Sequence, residues 1–198
     1  MAELPVLRFK NLKAWETWLE KNGAVSRGIW IRIAKKDSGT PSVTYPEAVE
    51  GALCYGWIDG QKNKGSEKDW LQKFTPRGKK SIWSKINREK VLALIKSRRM
   101  KKAGLAEVER AKEDGRWENA YDSARTSVVP ADFQAVLNSR PKAKQFFEAV
   151  NAANRYAILF RIQTAKKPET RTDRIKKLTA MLECGETLHP VKKTVKKK

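Results

Sequence analysis

The densest group of chemically capable side chains lies in the segment Cys54-Tyr55-Gly56-Trp57-Ile58-Asp59-Gly60. The thiol could act as a nucleophile, and Asp59, which precedes Gly60, could cap the hairpin or bind a ligand cation. A reactive thiol needs a neighbour that lowers its pKa, and no histidine is close in sequence. The pattern therefore favours a buried structural cysteine, and a ligand pocket or enzyme site is the alternative. The side chains of that alternative pocket would be Tyr45, Glu47, Cys54, Trp57, Asp59 and Arg77.

Other catalytic chemistry has few candidate residues in this chain. The one histidine, His189, lies near the basic C-terminal end, where a catalytic triad or a metal site would lack rigid support. Phosphate-binding glycine loops, dinucleotide fingerprints and paired-cysteine zinc spacings are absent from the sequence. Cys54 and Cys184 stand far apart, which is typical of reduced thiols in a cytoplasmic protein. We expect a protein that is not an enzyme, with no catalytic residue, no metal and no cofactor.

Charge is the strongest functional signal in the sequence. The formal net charge is +21, from 43 Lys and Arg against 22 Asp and Glu. Between Trp70 and Lys102 there are twelve Lys and Arg and one acid, Glu89. An ordinary solvated surface mixes the two signs, so this basic window predicts contact with a polyanion, above all nucleic acid. The cations predicted to make the contact are Lys79, Lys80, Lys85, Arg88, Lys96, Arg98, Arg99, Lys101 and Lys102.

Two tryptophans within the basic window are candidates for stacking on bases. Trp70 and Trp83 lie among the cations, although burial in the core is the commoner role of such rings. The lysines and arginines of the basic window would contact mainly phosphates. Binding should therefore tolerate many base sequences and weaken steeply as salt is added.

The predicted helices that position these residues follow from capping and hydrophobic periodicity. Asn11 predicts the start of a helix that Gly23 would close in the left-handed conformation. Thr44-Tyr45-Pro46-Glu47 has the spacing of a capping box at the start of a second helix. A third helix is predicted from residue 81 or 84 to residue 99. Its predicted core-facing residues are Trp83, Ile86, Val91, Leu94 and Ile95.

Alternating hydrophobicity predicts three strands, near residues 28–34, 57–62 and 69–75, with the last two as a hairpin. The fold class is therefore α+β, with a small and mostly antiparallel sheet covered by helices. We place this N-terminal domain at residues 1–125. An all-helical C-terminal module at 126–187 and a disordered Lys-rich tail at 188–198 follow.

The C-terminal module reads as helical throughout. Pro141 is expected to start one helix, Asn154 to cap another, and Thr170 with Asp173 to cap the last. These helices offer a further alternative, in which the protein acts by docking on a protein partner. The first ten residues lack the apolar segment of an export signal, and no apolar run approaches the roughly 18–20 residues of a membrane span. We therefore expect a cytoplasmic protein without a transmembrane segment.

A set of short segments carries a resemblance to a known family. The segments are Thr44-Tyr45-Pro46-Glu47-Ala48, Ala52-Leu53-Cys54-Tyr55-Gly56-Trp57-Ile58-Asp59, Phe74-Thr75-Pro76-Arg77, Trp83-Ser84-Lys85-Ile86-Asn87, Ala103-Gly104-Leu105, Gly115-Arg116-Trp117, Asn154-Arg155-Tyr156-Ala157 and Ala165-Lys166-Lys167-Pro168-Glu169-Thr170-Arg171. They resemble the YdeI/OmpD-associated family, also labelled bacteriocin-protection or OmdA-like, in consistent order from about Phe9 to Pro190. The resemblance implies a bacterial protein of stress or antimicrobial tolerance, with a link to an outer-membrane porin, and it supplies no catalytic residue.

Overall fold

A four-stranded sheet organises the first part of the chain in the computed structural model, which describes residues 3–190. Its strands are β1 (Val6–Leu7), β2 (Ile29–Ala34), β3 (Trp57–Lys64) and β4 (Asp69–Pro76), in the order β1-β2-β4-β3. The pairs β2–β4 and β3–β4 are antiparallel, and β1 runs parallel to β2. The sheet is thus mixed, because it includes a strand that the sequence did not predict. At two exposed residues, β1 is too short to show an alternating pattern.

Four helices belong to the same part of the chain: α1 (Leu12–Asn22), α2 (Tyr45–Cys54), α3 (Lys85–Lys96) and α4 (Lys102–Glu113). Asn11 caps α1 as predicted, by accepting from the backbone N–H of Ala14 at 3.0 Å. The Thr44–Glu47 capping box of α2 is also present. The prediction for Gly23 is wrong, since its φ of −61° is right-handed.

The core of this part lies between the sheet and the helices. Ile29, Ile31 and Ile33 of β2 are buried on the face that the helices cover. Trp15 of α1 donates its indole N–H to Ala48 O at 3.1 Å, which pairs a polar atom that burial would otherwise strand. Trp57 of β3 does the same with Gly23 O. Both rings are therefore structural.

Only part of the predicted core-facing surface of α3 is buried. Val91 and Leu94 lie in the core. Ile86 and Ile95 were predicted to face inward but are 45% and 38% exposed. The contact made by α3 is narrow, so residues that flank the Val91–Leu94 line reach solvent.

The chain divides into two compact units between Ala120 and Tyr121, and the second unit is helical as predicted. It contains α5 (Ala131–Asn138), α6 (Pro141–Ala149), α7 (Ala152–Gln163) and α8 (Pro168–Glu183). Its separate core is formed by Phe133, Leu137, Ala143, Phe147, Ile158, Leu159, Ile162, Ile175, Leu178 and Leu182.

Two predicted caps of the second unit are wrong. Asn151, not Asn154, caps α7, by accepting from the N–H of Asn154 at 2.9 Å. The last helix begins at Pro168, before Thr170, and has no side-chain cap. In both cases the helix begins earlier than the capping motif suggested.

Order extends further along the chain than the predicted start of the tail at residue 188. Leu188 packs against the helical core. His189 N donates to Asn154 Oδ1 at 2.8 Å, and Asn154 Nδ2 donates to His189 O at 3.1 Å. The rest of the predicted tail, residues 191–198, lies outside the described residues.

Candidate polyanion-binding surface

Four of the predicted contact residues lie together at the turn between α3 and α4. Lys96 ends α3, Lys102 begins α4, and Arg98 and Lys101 lie between them. All four side chains are exposed. Neither a capping side chain nor an acidic residue occupies the first turn of α4, so its positive dipole end is not offset locally. We call these four residues the α3–α4 cation cluster.

The turn is held in place by backbone contacts. Lys101 N donates to Cys54 O at 3.1 Å, which fixes the start of α4 to the end of α2. Gly104 makes this approach feasible, because a Cβ there would lie 2.3 Å from Cys54 O. Arg98 has a φ of +57°, which non-glycine residues rarely adopt. The cation cluster therefore stands on a rigid support.

Lys79 and Lys80 are exposed on a separate short turn. Gly78 N donates to Ser81 Oγ at 3.0 Å, and Ser81 N donates back to Gly78 O at 2.9 Å. Arginine side chains also hold this loop: Arg116 donates to Ser81 O at 2.6 Å, and Arg77 donates to Ile82 O at 3.3 Å. The two lysines thus project from a fixed loop.

Two of the predicted contact residues have other partners. Arg99 donates to Glu50 at 2.9 Å and to Glu16 at 3.3 Å, so it ties the α3–α4 turn to α2 and α1. Arg88 donates to Trp117 O at 3.1 Å and is half-buried. Lys85 is also half-buried. Helical spacing grouped these residues with exposed lysines because it cannot show which cations have internal partners.

The stacking prediction for Trp83 is wrong. Its side chain is 1% exposed, and the Arg77 guanidinium lies 3.4 Å from its ring centroid. Trp117 packs against it edge-on, with ring centroids 5.0 Å apart. A base therefore cannot reach this ring in the folded protein.

The side chains of the alternative pocket around Cys54 are mostly buried or engaged in structural contacts. Cys54 is fully buried, and desolvation raises the pKa of its thiol to about 11, although the Arg99 cation opposes the shift. Trp57 is in the core, and Glu47 is engaged in the capping box, where bonds from Thr44 lower its pKa. Arg77 lies against Trp83. The structure brings together only Tyr45 and Asp59, whose hydroxyl and carboxylate are 2.7 Å apart.

A different cavity lies next to Tyr45. It is a cleft of about 900 Å³ beyond the N-terminus of α2, bounded by the end of β2 and the β3–β4 hairpin. Trp70 forms part of its wall together with Tyr45, at a centroid distance of 5.6 Å. Four exposed lysines that the sequence reasoning missed also line it: Lys35, Lys36, Lys62 and Lys64.

The motifs of the second unit that carry the family resemblance have structural partners. Arg171 donates from Nε and Nη2 to the two carboxylate oxygens of Asp132, at 2.6 and 2.9 Å. Tyr156 donates to Asp122 O at 2.9 Å, and Arg155 donates to Glu148 O at 2.8 Å. These contacts join the helices to one another and to the segment before α5. The motifs are thus explained by folding.

Residues 3–190 contain neither a metal-binding cluster nor a membrane-spanning helix. No three His, Cys, Asp or Glu side chains of this range gather closely enough to hold a metal ion. Within the same range, no helix is both long enough and apolar enough to cross a bilayer.

The fold and the exposed cations define the class: an α+β unit with a rigid cationic turn, followed by a four-helix unit. The chain belongs to the family described as Domain of unknown function (DUF8412), whose model matches residues 7–107. Residues 126–185 match the model described as Bacteriocin-protection, YdeI or OmpD-Associated, which confirms the resemblance in the helical unit. Neither a curated protein nor a solved structure matches the chain significantly.

Proposed function

We propose that this protein is a non-enzymatic binder of nucleic acid, which it contacts through the α3–α4 cation cluster. The observation that carries the proposal is the exposure of Lys96, Arg98, Lys101 and Lys102 around the uncapped start of α4. Among residues 3–190, no carboxylate pairs with any of the four. Phosphates would supply the missing negative charge and could accept from the first N–H groups of α4.

The proposal predicts a salt dependence that a variant can change. Each phosphate contact contributes about 0.9 to the slope of log K against log salt on duplex DNA, and about 0.7 on single strands. We would measure anisotropy of labelled DNA and RNA from roughly 50 to 200 mM salt. Replacing all four cluster residues by glutamine should lower the slope by about 3 and weaken binding at every salt concentration.

A matched variant controls for the change in net charge. Lys142, Lys166, Lys176 and Lys177 are exposed lysines of the helical unit, and their replacement by glutamine removes the same formal charge. This variant should keep the wild-type slope. Both variants should also be measured on residues 1–190, so that the terminal lysines do not contribute. Equal slopes for the two variants would refute the assignment to the α3–α4 turn.

The sequence-based alternatives have different support. The enzyme or small-ligand alternative at Cys54 has less support, because its thiol is fully buried and the pKa of that thiol is raised to about 11. Docking of the C-terminal helices on a protein partner stays a prediction. It would be supported if deletion of 126–187 abolished capture of one partner while the N-terminal unit stayed folded.

The family description suggests the physiological setting. We propose, on the words "bacteriocin-protection" alone, that nucleic-acid binding in the cytoplasm serves antimicrobial tolerance. A host that lacks the protein should be more sensitive to bacteriocins, and the wild-type chain should restore tolerance. The quadruple glutamine variant of the cation cluster should restore it poorly. Full rescue by that variant would separate the tolerance from the binding.

A further inference from the structure

The cleft beside α2 has a lining that combines positive charge with an aromatic wall. Its four lysines come from two places, Lys35 and Lys36 after β2 and Lys62 and Lys64 at the end of β3. The acid among its lining residues is Asp69. Uncompensated ammonium groups in a concave site favour an anionic ligand.

Asp69 does not neutralise these lysines, because its carboxylate is already engaged. It accepts from Arg8 at 2.7 Å, from Arg32 at 3.0 Å and from the backbone N–H of Ser66 at 2.9 Å. The Ser66 bond is the largest cause of the lowered pKa of Asp69. The Lys35 ammonium donates to Ser66 O, a neutral carbonyl, so its charge remains available.

A β-bulge determines which lysines line the cleft. Asp59 pairs with Phe74, but the next pair is Lys62 with Gln72, so β3 has one extra residue near Gly60. Beyond the bulge, Lys64 pairs with Trp70, and cross-strand partners share a face of the sheet. The bulge therefore places the lysines on the same face as Trp70. Without it, the residues on that face would be Gln61 and Asn63.

The aromatic wall is accessible. Trp70 is partly exposed and Tyr45 is 38% exposed. The Lys62 ammonium lies 4.2 Å from the Trp70 ring centroid, so a face of the ring is open to a side chain that lines the cleft. A base that stacked there would move Lys62 from the ring to the phosphate of the same ligand.

We propose that this cleft binds a nucleoside phosphate, with the base against Trp70 and the phosphates among the four lysines. Phosphate alone would make no contact with the aromatic wall, and an apolar ligand would bury the ammonium groups without a hydrogen-bond partner. The volume of about 900 Å³ is within the range of small-ligand sites. The ligand is either a free nucleotide or a nucleotide unit of a single strand. The site is separate from the α3–α4 cation cluster.

Calorimetry and tryptophan fluorescence with four probes test the proposal: adenosine monophosphate, adenosine triphosphate, a single-stranded hexa-adenylate and inorganic pyrophosphate. The three nucleotide probes should bind saturably and quench fluorescence, and pyrophosphate should bind at least about tenfold more weakly than the triphosphate because it cannot stack. Tightest binding of the triphosphate would identify a free nucleotide as ligand. Tightest binding of the hexa-adenylate would identify a strand.

Two variants of the cleft keep the test independent of folding. Lys62→Gln with Lys64→Gln changes only exposed side chains and should lower the affinity for the triphosphate at least about fivefold. Trp70→Leu should lower the affinity for the triphosphate about tenfold and abolish the quenching of tryptophan fluorescence by the ligand. Circular dichroism checks that this variant is folded. Lys176→Gln with Lys177→Gln removes the same charge from exposed positions of the helical unit and should leave triphosphate affinity unchanged.

Two results would overturn the proposal. One is the absence of saturable nucleotide binding at millimolar concentration and low salt. The other is pyrophosphate binding as tight as that of the triphosphate, with no effect of the Lys62/Lys64 variant. In either case, duplex binding that still depends on the α3–α4 cation cluster would leave the proposed function standing.

Discussion

Burial decides whether a chemically capable side chain can react, and Cys54 is the clearest case. Its thiol is fully buried with a pKa near 11, whereas Cys184 is exposed. At neutral pH the buried thiol holds its proton, and the thiolate is the reactive species. The local sequence around Cys54 looked like a site because it is rich in aromatic and polar residues that fold the domain.

The two cysteines give an internal comparison of reactivity. Iodoacetamide at pH 7.5 should alkylate Cys184 readily and Cys54 only after denaturant unfolds the chain. Mass spectrometry of the digested protein reports both sites in one sample. Rapid modification of Cys54 in the folded protein would contradict its burial.

Adjacent arginines at the α3–α4 turn have different roles, because Arg99 stabilises the fold and Arg98 is proposed to bind nucleic acid. Arg99→Gln removes the bonds to Glu16 and Glu50 and should lower the free energy of unfolding by about 1 kcal/mol, a small value because all three groups are partly exposed. Arg98→Gln should leave stability within about 0.5 kcal/mol and weaken nucleic-acid binding. Denaturant titration and anisotropy measure the two effects. The assignment fails if Arg99→Gln weakens binding as much as Arg98→Gln without a loss of stability.

At the scale of elements, the approach of α4 to α2 depends on a residue without a Cβ. Gly104→Ala would bring a methyl group to 2.3 Å from Cys54 O and 2.8 Å from Leu53 O. Helix propensity would gain about 1 kcal/mol, but overpacking against backbone costs about 1–3 kcal/mol or more. We expect a net loss of about 1–2 kcal/mol in the free energy of unfolding.

Gly60→Ala is the matched control for that substitution. The nearest atom to its added Cβ would be Lys73 Cβ at 3.8 Å, an ordinary contact. The free energy of unfolding of the Gly60→Ala variant, measured by denaturant titration, should stay within about 0.5 kcal/mol of the wild type. Equal losses in the free energy of unfolding for the two substitutions would show that the contact between α2 and α4 has room for a Cβ at residue 104.

The pair of Asp132 and Arg171 links α5 to α8 and should make the helical unit sensitive to acid. The hydrogen bond from Arg171 lowers the pKa of Asp132 from its ordinary value, so the folded state favours the carboxylate. The stabilisation is therefore full above the unfolded pKa and is lost as pH falls through the lower folded pKa. Asp132→Asn should lower stability at pH 7 by about 1 kcal/mol.

Thermal melts of the Asp132→Asn variant at pH 7 and below pH 3 measure this linkage. The difference from wild type should shrink as the pH falls, because the wild-type carboxylate becomes protonated. Glu169→Gln removes an exposed carboxylate from the first turn of α8 and is the control. A difference that stays constant with pH would contradict the role of the ion pair.

At the scale of the whole molecule, the two units have separate cores. The core of the helical unit contains ten buried residues, all between Phe133 and Leu182. Because a unit with its own core can fold alone, residues 121–198 should form a helical, cooperatively melting fragment. Circular dichroism measures its helicity and its melting. A fragment that melts without a cooperative transition would show that the core depends on the rest of the chain.

The sequence predicted the fold class because its signals are local. The capping box at Thr44 and the alternation of Ile29, Ile31 and Ile33 act over a few residues, and both appear in the structure. The helical character of the second unit was predicted for the same reason. The starts of α7 and α8 were missed, since Asn154 and Thr170 are residue types that can cap a helix and lie a few residues beyond the observed starts.

The candidate site was less predictable, because exposure depends on contacts between distant residues. Charge density indicated a polyanion surface, and six of its nine predicted cations are exposed. Glu16 and Glu50, far away in sequence, engage Arg99. The nearest sequence signal for the cleft was Gly60, since a glycine within a strand often marks a bulge.

The sequence by itself determined the composition of each element and the sign of the charge, because periodicity, capping and ionisation are properties of neighbouring residues. Only the tertiary structure decided which side chains meet. It buried Trp83 and Cys54, engaged Arg99, and turned Lys62 and Lys64 toward Trp70 through one extra residue in β3. The physical reason is that the face a strand residue occupies depends on its register with a partner strand.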